Sequence, residues 1–109
     1  MGASVSLFDD QRYVAVFAAV ATLRSFRGSV VDSVRDGSLP VAELLARSAQ
    51  EIAIADMSVL PWFEAAPGVG KVASRRSLEA LGVADAARTR DLTSVQAAEI
   101  LATVEAAAA

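Results

Sequence analysis

The segment of the sequence best suited to chemistry is a short run that ends in the chain's single lysine, Pro67-Gly68-Val69-Gly70-Lys71. Two glycines bracket an apolar residue directly before a predicted helix. Such a turn can bury Val69 between two helices and let another chain approach the glycine backbone closely. Free N–H groups at the start of the helix then point outward, and a lysine beside them adds a positive charge. The run therefore predicts a phosphate-binding turn.

More basic residues follow the run. Arg75 lies four residues after Lys71, on the same face of the predicted helix, and Arg76 is adjacent. Arg88 and Arg90 follow in a later loop. Residues 68–90 carry a net charge of +3, whereas the whole chain has −3. The positive charge is thus concentrated around the glycine turn, where the Ser74 hydroxyl either donates to a phosphate or faces solvent.

Other interpretations of the turn compete with phosphate binding. A dinucleotide-binding fingerprint needs a preceding strand, and here a helix and a proline precede the glycines. A nucleotide P-loop fails because Ala65 stands where its first glycine belongs and Val72 where Ser or Thr should follow the lysine. A corner in which the glycines serve only helix packing stays open as an alternative.

Composition excludes several kinds of catalytic and metal site. The chain has no cysteine and no histidine. Disulfides, Cys/His zinc sites, thiol nucleophiles and imidazole bases are therefore ruled out. No nucleophile–base pair or paired-carboxylate cleft is evident either, so we expect no enzyme activity, no metal and no cofactor.

The elements that position the turn are predicted to be helices. The chain's 109 residues suit one domain, with 24 alanines and only three prolines. Apolar residues spaced by three and four predict a long first helix, capped by Asp9 or Asp10, with Gly28 as a candidate kink. It ends at Asp36-Gly37. We expect a flexible N-terminus over residues 1–9 and one all-α domain over 10–105.

Shorter helices are predicted to follow. The second begins at the cap Ser38, with Pro40 in its first turn, and ends between residues 50 and 54. A short third helix starts at residue 56 or 58 and carries Trp62 and Phe63, which we interpret as core residues.

The C-terminal part is predicted to hold two more helices. One runs over residues 71–81 with Gly82 as its C-cap, and a single helical turn follows over 85–88. Thr93 and Gln96 form a capping box that opens the last helix. We expect residues 104–109 to fray. Three residues of the fourth helix and four of the last should face the core: Val72, Leu78, Leu81, Val95, Ala98, Leu101 and Ala102.

The first helix is apolar nearly all round between residues 13 and 22, which predicts burial on more than one side. In so small a chain this indicates a second copy or another protein as partner, through Tyr13, Phe17 and Val20. The apolar stretch 13–23 is shorter than the about 20 residues of a membrane span. No targeting segment is evident, so we expect a cytoplasmic protein without a membrane partner.

Three motifs together resemble the actinobacterial integration host factors. They are the Pro-Gly-Val-Gly-Lys turn, Leu81-Gly82-Val83, and the run from Arg88 to Thr93. That family has a helix–two-turns–helix core, which also occurs in a small-subunit ribosomal protein and in certain DNA glycosylases. The resemblance covers about residues 11–103 and is most specific over 57–101.

The resemblance implies N-terminal helices over 10–54 and a helix–two-turns–helix module over 57–105. It further implies duplex DNA as the partner, a location on the nucleoid, and an origin in actinobacteria or their phage. The residues it implicates in backbone contacts are Gly68, Val69, Gly70, Lys71, Arg75, Arg88 and Arg90.

The chain also departs from the family pattern. Its first helix is rich in Val, Ala and Phe where the family has charged residues, and Ala55-Asp56-Met57-Ser58 replaces a usually basic stretch. Ala73 and Asp91 are further departures. We therefore carry two functions forward: a non-enzymatic DNA-binding protein, and a protein-interaction or regulatory module with DNA binding weakened or lost. An RNA or ribosome-linked role is a third.

Overall fold

The computed structural model describes the backbone of residues 2–109 and the side chains of residues 14–109. Six α-helices follow one another, and a 3-10 turn at Thr89–Asp91 precedes the last helix. Within the described residues the only β-type pairing is a single bridge between Ser58 and Arg88. The all-α prediction is confirmed. The helices are α1 Gly2–Arg35, α2 Val41–Ser48, α3 Ile52–Ala55, α4 Val59–Ala65, α5 Gly70–Ala80 and α6 Ser94–Ala108.

Helix α1 is longer than predicted. It begins at Gly2, ahead of the predicted cap at Asp9 or Asp10, and passes through Gly28 without a break. No proline interrupts residues 2–35, so nothing prevents the helix from extending in either direction. It ends where predicted, because Gly37 takes a φ of 83°. The flexibility of residues 1–9 stays a prediction.

The end of α1 is held by a polar turn. The Asp36 carboxylate accepts a hydrogen bond from the Ser38 backbone N–H at 2.8 Å. Hydrogen bonding from the Ser38 side chain and backbone lowers the pKa of Asp36 below its usual value. The turn therefore favours the charged carboxylate, and it directs the chain back toward α2.

The two halves of α1 differ in burial. Every side chain over residues 14–25 is exposed, whereas Val30 and Val34 are buried in the core. The molecule is accordingly elongated, 64 × 27 × 27 Å. The exposed apolar surface includes Val16 and Phe17, as the sequence predicted for a partner surface. The side chain of Tyr13 lies outside the described residues.

One segment of α1, Val14–Arg35, is long and apolar enough to cross a membrane by length and composition alone, with 22 residues and a mean hydropathy of 1.4. The sequence prediction counted only residues 13–23 and is corrected on this point. However, Val30 and Val34 belong to the protein core. Residues 14–25, the described part in which every side chain is exposed, span about 18 Å as a helix, less than the about 30 Å of a bilayer's hydrocarbon layer, and the charged Asp9, Asp10 and Arg12 precede them in the sequence.

The core is centred on α4. Trp62 and Phe63 have no exposed surface, and their ring centroids lie 6.2 Å apart. Leu44, Ile54 and Ile100 are also completely buried around them. The interpretation of Trp62 and Phe63 as core residues is thus confirmed. Because α4 is anchored in the core, it holds in place the loop that precedes it and the glycine turn that follows it.

Helix boundaries differ from the prediction around α2 and α3. Pro40, not Ser38, is the cap of α2, because its ψ of 144° is extended rather than helical. The helix ends at Ser48, earlier than predicted, and α3 is a separate short helix. Arg47 and Glu51 pair at 2.6 Å across the break. The hydrogen bonds that Arg47 donates to the Glu51 carboxylate lower the pKa of Glu51.

The buried faces of α5 and α6 also differ. Val72 is 65% exposed because Ser74 and Leu78, four residues apart, define the inward face of α5. In α6 the buried residues are Ile100 and Val104, while Leu101 packs at the edge of the core. Residue 104 therefore does not fray, and the helix reaches Ala108. The predicted inward residues Val95, Ala98 and Ala102 are exposed.

Of the two remaining C-terminal predictions, the capping box is confirmed and the helical turn lies at different residues. The capping box of Thr93 and Gln96 is present, with the Thr93 hydroxyl accepting from the Gln96 backbone N–H at 3.1 Å. The helical turn expected over 85–88 lies instead at Thr89–Asp91. It forms there because the Asp91 carboxylate accepts from the backbone N–H of Arg88 at 2.9 Å.

Candidate nucleic-acid interface

The glycine turn between α4 and α5 has the conformation that its sequence predicts. Gly68 and Gly70 take φ values of 82° and 73°, in the left-handed region that favours glycine. Val69 between them is only 7% exposed and belongs to the core. The predicted burial of Val69 is confirmed, so the turn is anchored from within.

The two glycines have different surroundings. A Cβ on Gly68 would lie 2.4 Å from the carbonyl oxygen of Ala107, near the end of α6. A Cβ on Gly70 would meet nothing within 4 Å. Gly68 therefore permits close packing inside the protein, and Gly70 leaves its backbone open to an approaching molecule. The sequence alone did not separate these two roles.

The N-terminus of α5 can bind an anion. Val69 stands at the cap position and makes no side-chain capping bond, and the first turn of α5 holds no acidic residue. The first N–H groups of the helix are thus left without an internal side-chain acceptor. The positive end of the helix dipole and the exposed Lys71 favour a negatively charged ligand at the same place.

The turn forms one wall of an open cleft of about 540 Å³, lined by residues 64–71 and by Arg35. Arg35 comes from the last turn of α1 and pairs with Asp32 at 2.8 Å on the surface. Arg35 is not among the predicted site residues, because no local pattern links it to a turn some thirty residues later. Glu64 is half-buried in the cleft and adds a negative charge there.

The basic residues of α5 are free of internal ion pairs. Lys71 and Arg75 lie one turn apart on the same face, and Arg76 beside them is exposed as well. Among the described residues, no ion pair involves any of these three side chains. They present unneutralised positive charge beside the turn.

Ser74 does not belong to this exposed group. Its side chain has no exposed surface, and its hydroxyl donates to the Lys71 carbonyl oxygen at 3.1 Å. The prediction that Ser74 donates to a phosphate or faces solvent is therefore wrong. The small buried hydroxyl instead allows α5 to pack closely on the core.

The second predicted basic segment, the loop containing Arg88 and Arg90, is clamped to the start of α4. The indole N–H of Trp62 donates to the Thr89 hydroxyl at 3.1 Å, and that hydroxyl donates to the Met57 carbonyl at 2.9 Å. The backbone N–H of Thr89 donates to the same carbonyl at 2.8 Å. This buried network holds the loop without help from the arginines.

The arginines of this loop flank a carboxylate. Arg88 Nη1 lies 3.8 Å from Asp56 Oδ1, and the Arg90 guanidinium pairs with the same oxygen. Asp56 is only 28% exposed, whereas the two arginines are about half exposed. Their positive charge is therefore partly neutralised inside the protein.

The nine predicted site residues thus fall into three groups. Gly68, Val69 and Ser74 support the fold, and Arg88 and Arg90 are paired with Asp56. The residues open to a ligand are Gly70, Lys71, Arg75 and Arg76. Within the described part of the chain, no group of three acidic, His or Cys residues could hold a metal ion.

Comparison with known proteins places this geometry in context. The model of the S13-like H2TH domain family matches residues 34–104, which include the turn and the paired arginines. The integration host factor of Streptomyces coelicolor is 31% identical over 94 residues, covering 86% of this chain and 87% of that protein. A solved structure described as sIHF bound to an 8bp palindromic DNA matches with a TM-score of 0.70 and 29% identity, covering 76% of this chain and 93% of that one.

Proposed function

Because the chain belongs to the S13-like H2TH domain family, and is similar over most of its length to a Streptomyces integration host factor, we propose that it is a non-enzymatic DNA-binding protein of the nucleoid. It binds the backbone of duplex DNA through the turn at 67–71. The similar solved structure is described as bound to DNA, which supports duplex DNA as the ligand.

One observation carries this proposal: the N-terminus of α5 has no side-chain cap at Val69, is open at Gly70, and is flanked by Lys71, which forms no ion pair with the described residues. A phosphate seated there accepts hydrogen bonds from backbone N–H groups and gains from the lysine charge. Arg75 and Arg76 extend the positive surface along α5. Arg35, which pairs with Asp32 on the surface, lines the far side of the cleft. Such contacts position a duplex without reading its sequence.

The acidic background limits the strength of the interaction. A net charge of −3 and the presence of Glu64 in the cleft oppose any polyanion. With about three to five phosphates engaged, counterion release gives a log–log salt slope of roughly −3 to −4.5. We therefore expect binding that is weak and steeply lost above physiological salt.

Charge reversal tests the proposal. Lys71→Glu and Arg75→Glu should abolish binding to a short duplex in fluorescence anisotropy at about 50 mM salt, where backbone contacts are strongest. Arg24→Glu is the matched control, because Arg24 is exposed on the protruding part of α1 and makes the same change in net charge. If both site variants bind as tightly as the control, the turn is not the DNA contact. A duplex RNA of equal length tests the RNA-binding alternative in the same assay.

The second candidate function, a protein-interaction module, has its own supporting observation. Apolar side chains on residues 14–23 are exposed to an extent unusual for a small soluble protein, with Val14 at 68% and Val16 at 61%. This alternative predicts no duplex binding even at low salt. It also predicts that partner binding survives Lys71→Glu, so the same variant separates the two functions.

A further inference from the structure

We propose that Asp56 competes with DNA phosphates for Arg88 and Arg90, so that this second basic segment contacts DNA only after its internal carboxylate is displaced. The inference rests on the proposed function and adds a regulating residue to it. In the structure one carboxylate oxygen of Asp56 pairs with the Arg90 guanidinium and lies 3.8 Å from Nη1 of Arg88, so it faces both of the groups that would bind a phosphate.

The backbone brings the three side chains together. The Ser58–Arg88 bridge and the hydrogen bond from Val59 N–H to the Ala87 carbonyl, at 3.1 Å, align the segment after α3 with the loop. Thr89 binds Met57 from the other side of the same junction. Asp56 is therefore fixed beside the arginines by neighbours, and its placement does not depend on the ion pairs themselves.

The ion pairs are not required to hold the loop. The Trp62–Thr89–Met57 network is buried and already fixes the backbone there. Ion pairs whose arginines are half exposed contribute little to stability, since solvent screens the guanidinium groups and long side chains lose freedom in forming the pairs. The principal consequence of Asp56 is thus electrostatic: it reduces the charge of the cluster from +2 to +1.

A phosphodiester can replace this carboxylate because both offer negatively charged oxygens to a guanidinium fork. Displacement frees no new charge from the protein, and Asp56 remains nearby to repel the phosphate. The loop therefore adds less affinity than two free arginines would. Removing the charge of Asp56 should leave both guanidinium groups available to phosphate, with Asp91, which accepts from the Arg88 backbone N–H, as the remaining carboxylate of the loop.

The test compares Asp56→Asn with Asp85→Asn in anisotropy titrations of a short duplex over about 50–200 mM salt. Asp85 is an exposed residue three positions before Arg88, and its substitution makes the same change in net charge. Asp56→Asn should bind roughly two- to thirtyfold more tightly, the range expected for releasing two ion pairs whose arginines are half exposed. Its salt slope should steepen by up to about 1.8 units. Asp85→Asn should give a smaller gain and an unchanged slope.

A second set of variants tests whether the gain in duplex affinity depends on Arg88 and Arg90. Adding Arg88→Ala and Arg90→Ala to Asp56→Asn should remove the gain in duplex affinity entirely. The same two substitutions in the wild type should lower the affinity by less than they do in the Asp56→Asn variant. Equal gains for Asp56→Asn and Asp85→Asn, or a gain that survives loss of both arginines, would overturn the inference. Should Asp56→Asn lower the melting temperature by more than a few degrees, Asp56→Ser replaces it, since serine also removes the carboxylate and is small and uncharged.

The outcomes separate this inference from the proposed function. If the wild type binds DNA and Asp56→Asn gains nothing, only the role of Asp56 is wrong. If Asp56→Asn binds and the wild type does not, Asp56 blocks the site and the wild-type protein is not a DNA-binding protein by itself. Absence of binding by every variant at low salt overturns both.

Discussion

Two basic segments of this molecule look equivalent in sequence and differ in the structure. Among the side chains that the structure describes, Lys71 and Arg75 beside the turn into α5 form no ion pair, whereas in the loop before α6 Arg88 and Arg90 pair with Asp56. Both lie in a region of net charge +3. The difference shows that the local count of charges does not measure the charge available to a ligand.

The same contrast holds between the two glycines. Gly68 and Gly70 share a left-handed backbone, but only Gly68 faces another part of the protein. In both the turn and the loop, some residues therefore pack inside the protein and others are exposed to a ligand. Substitutions can test each assignment separately.

The largest expected effect comes from Gly68→Ala. The added methyl group meets the Ala107 backbone and requires an unfavourable φ, so we expect a loss of about 2–4 kcal/mol in the free energy of unfolding. Gly70→Ala should lose only about 1–2 kcal/mol, from its backbone conformation alone. Urea denaturation measures both losses.

For duplex affinity the order of the two glycine variants should be reversed, with the larger loss for Gly70→Ala. Gly70→Ala places a methyl group in the space that a DNA backbone would approach, so its affinity should fall although it remains folded. Equal destabilisation by the two substitutions would show that the surroundings of Gly68 and Gly70 do not differ in solution.

A second prediction concerns α1, because self-association would give each particle two copies of the turn and two of the loop. Burial of a phenylalanine side chain contributes about 1.5–3 kcal/mol, so Phe17→Glu should weaken association by about ten- to a hundredfold. Arg12→Glu should have a far smaller effect. Sedimentation at tens of micromolar measures both effects. A wild type that stays monomeric would show that α1 does not join two copies of the protein.

Affinity for a long duplex should follow association. A dimer binds two stretches of one duplex, so Phe17→Glu should weaken binding to a long duplex more than to a short one. An equal effect on both duplexes would mean that α1 acts on DNA binding in some way other than by joining two copies.

A third prediction compares the turn and the loop directly. Lys71→Ala should weaken duplex binding about eightfold near 0.1 M salt and make the slope shallower by about 0.9. Arg75→Ala should resemble it. Arg88→Ala should cost only about two- to threefold, because an ion pair with Asp56 already offsets much of its charge. Equal losses at residues 71 and 88 would show that the paired arginine contacts DNA as fully as the free lysine.

Much of the fold could be predicted because its signals are local. The spacing of apolar residues located α1, α4, α5 and α6, and the Thr93–Gln96 capping box is encoded within four residues. The left-handed turn and its buried valine follow from the Gly-Val-Gly pattern. The break between α2 and α3 was missed, because alanine and isoleucine continue a helical pattern across it.

The site was only partly predictable because its decisive contacts are not local. Asp56 meets Arg88 across more than thirty residues, and Arg35 reaches the cleft from the end of α1. Val104 was expected to fray because an alanine-rich tail follows it, yet it packs into the core. In each case tertiary packing determined a role that the neighbouring sequence does not encode.

The smallest expected effect is that of Ser74→Ala, and it tests how far the open surface extends along α5. Ser74 lies between Lys71 and Arg75 in sequence, but its hydroxyl donates inward to the Lys71 carbonyl. Removing this neutral hydrogen bond should cost about 0.5–1.5 kcal/mol in stability. Duplex affinity and its salt slope should stay unchanged, because the hydroxyl carries no charge and has no exposed surface. A loss of affinity as large as that of Lys71→Ala, in a variant shown to be folded, would mean that α5 rotates on binding DNA and that the division between supporting and contacting residues holds only for the free protein.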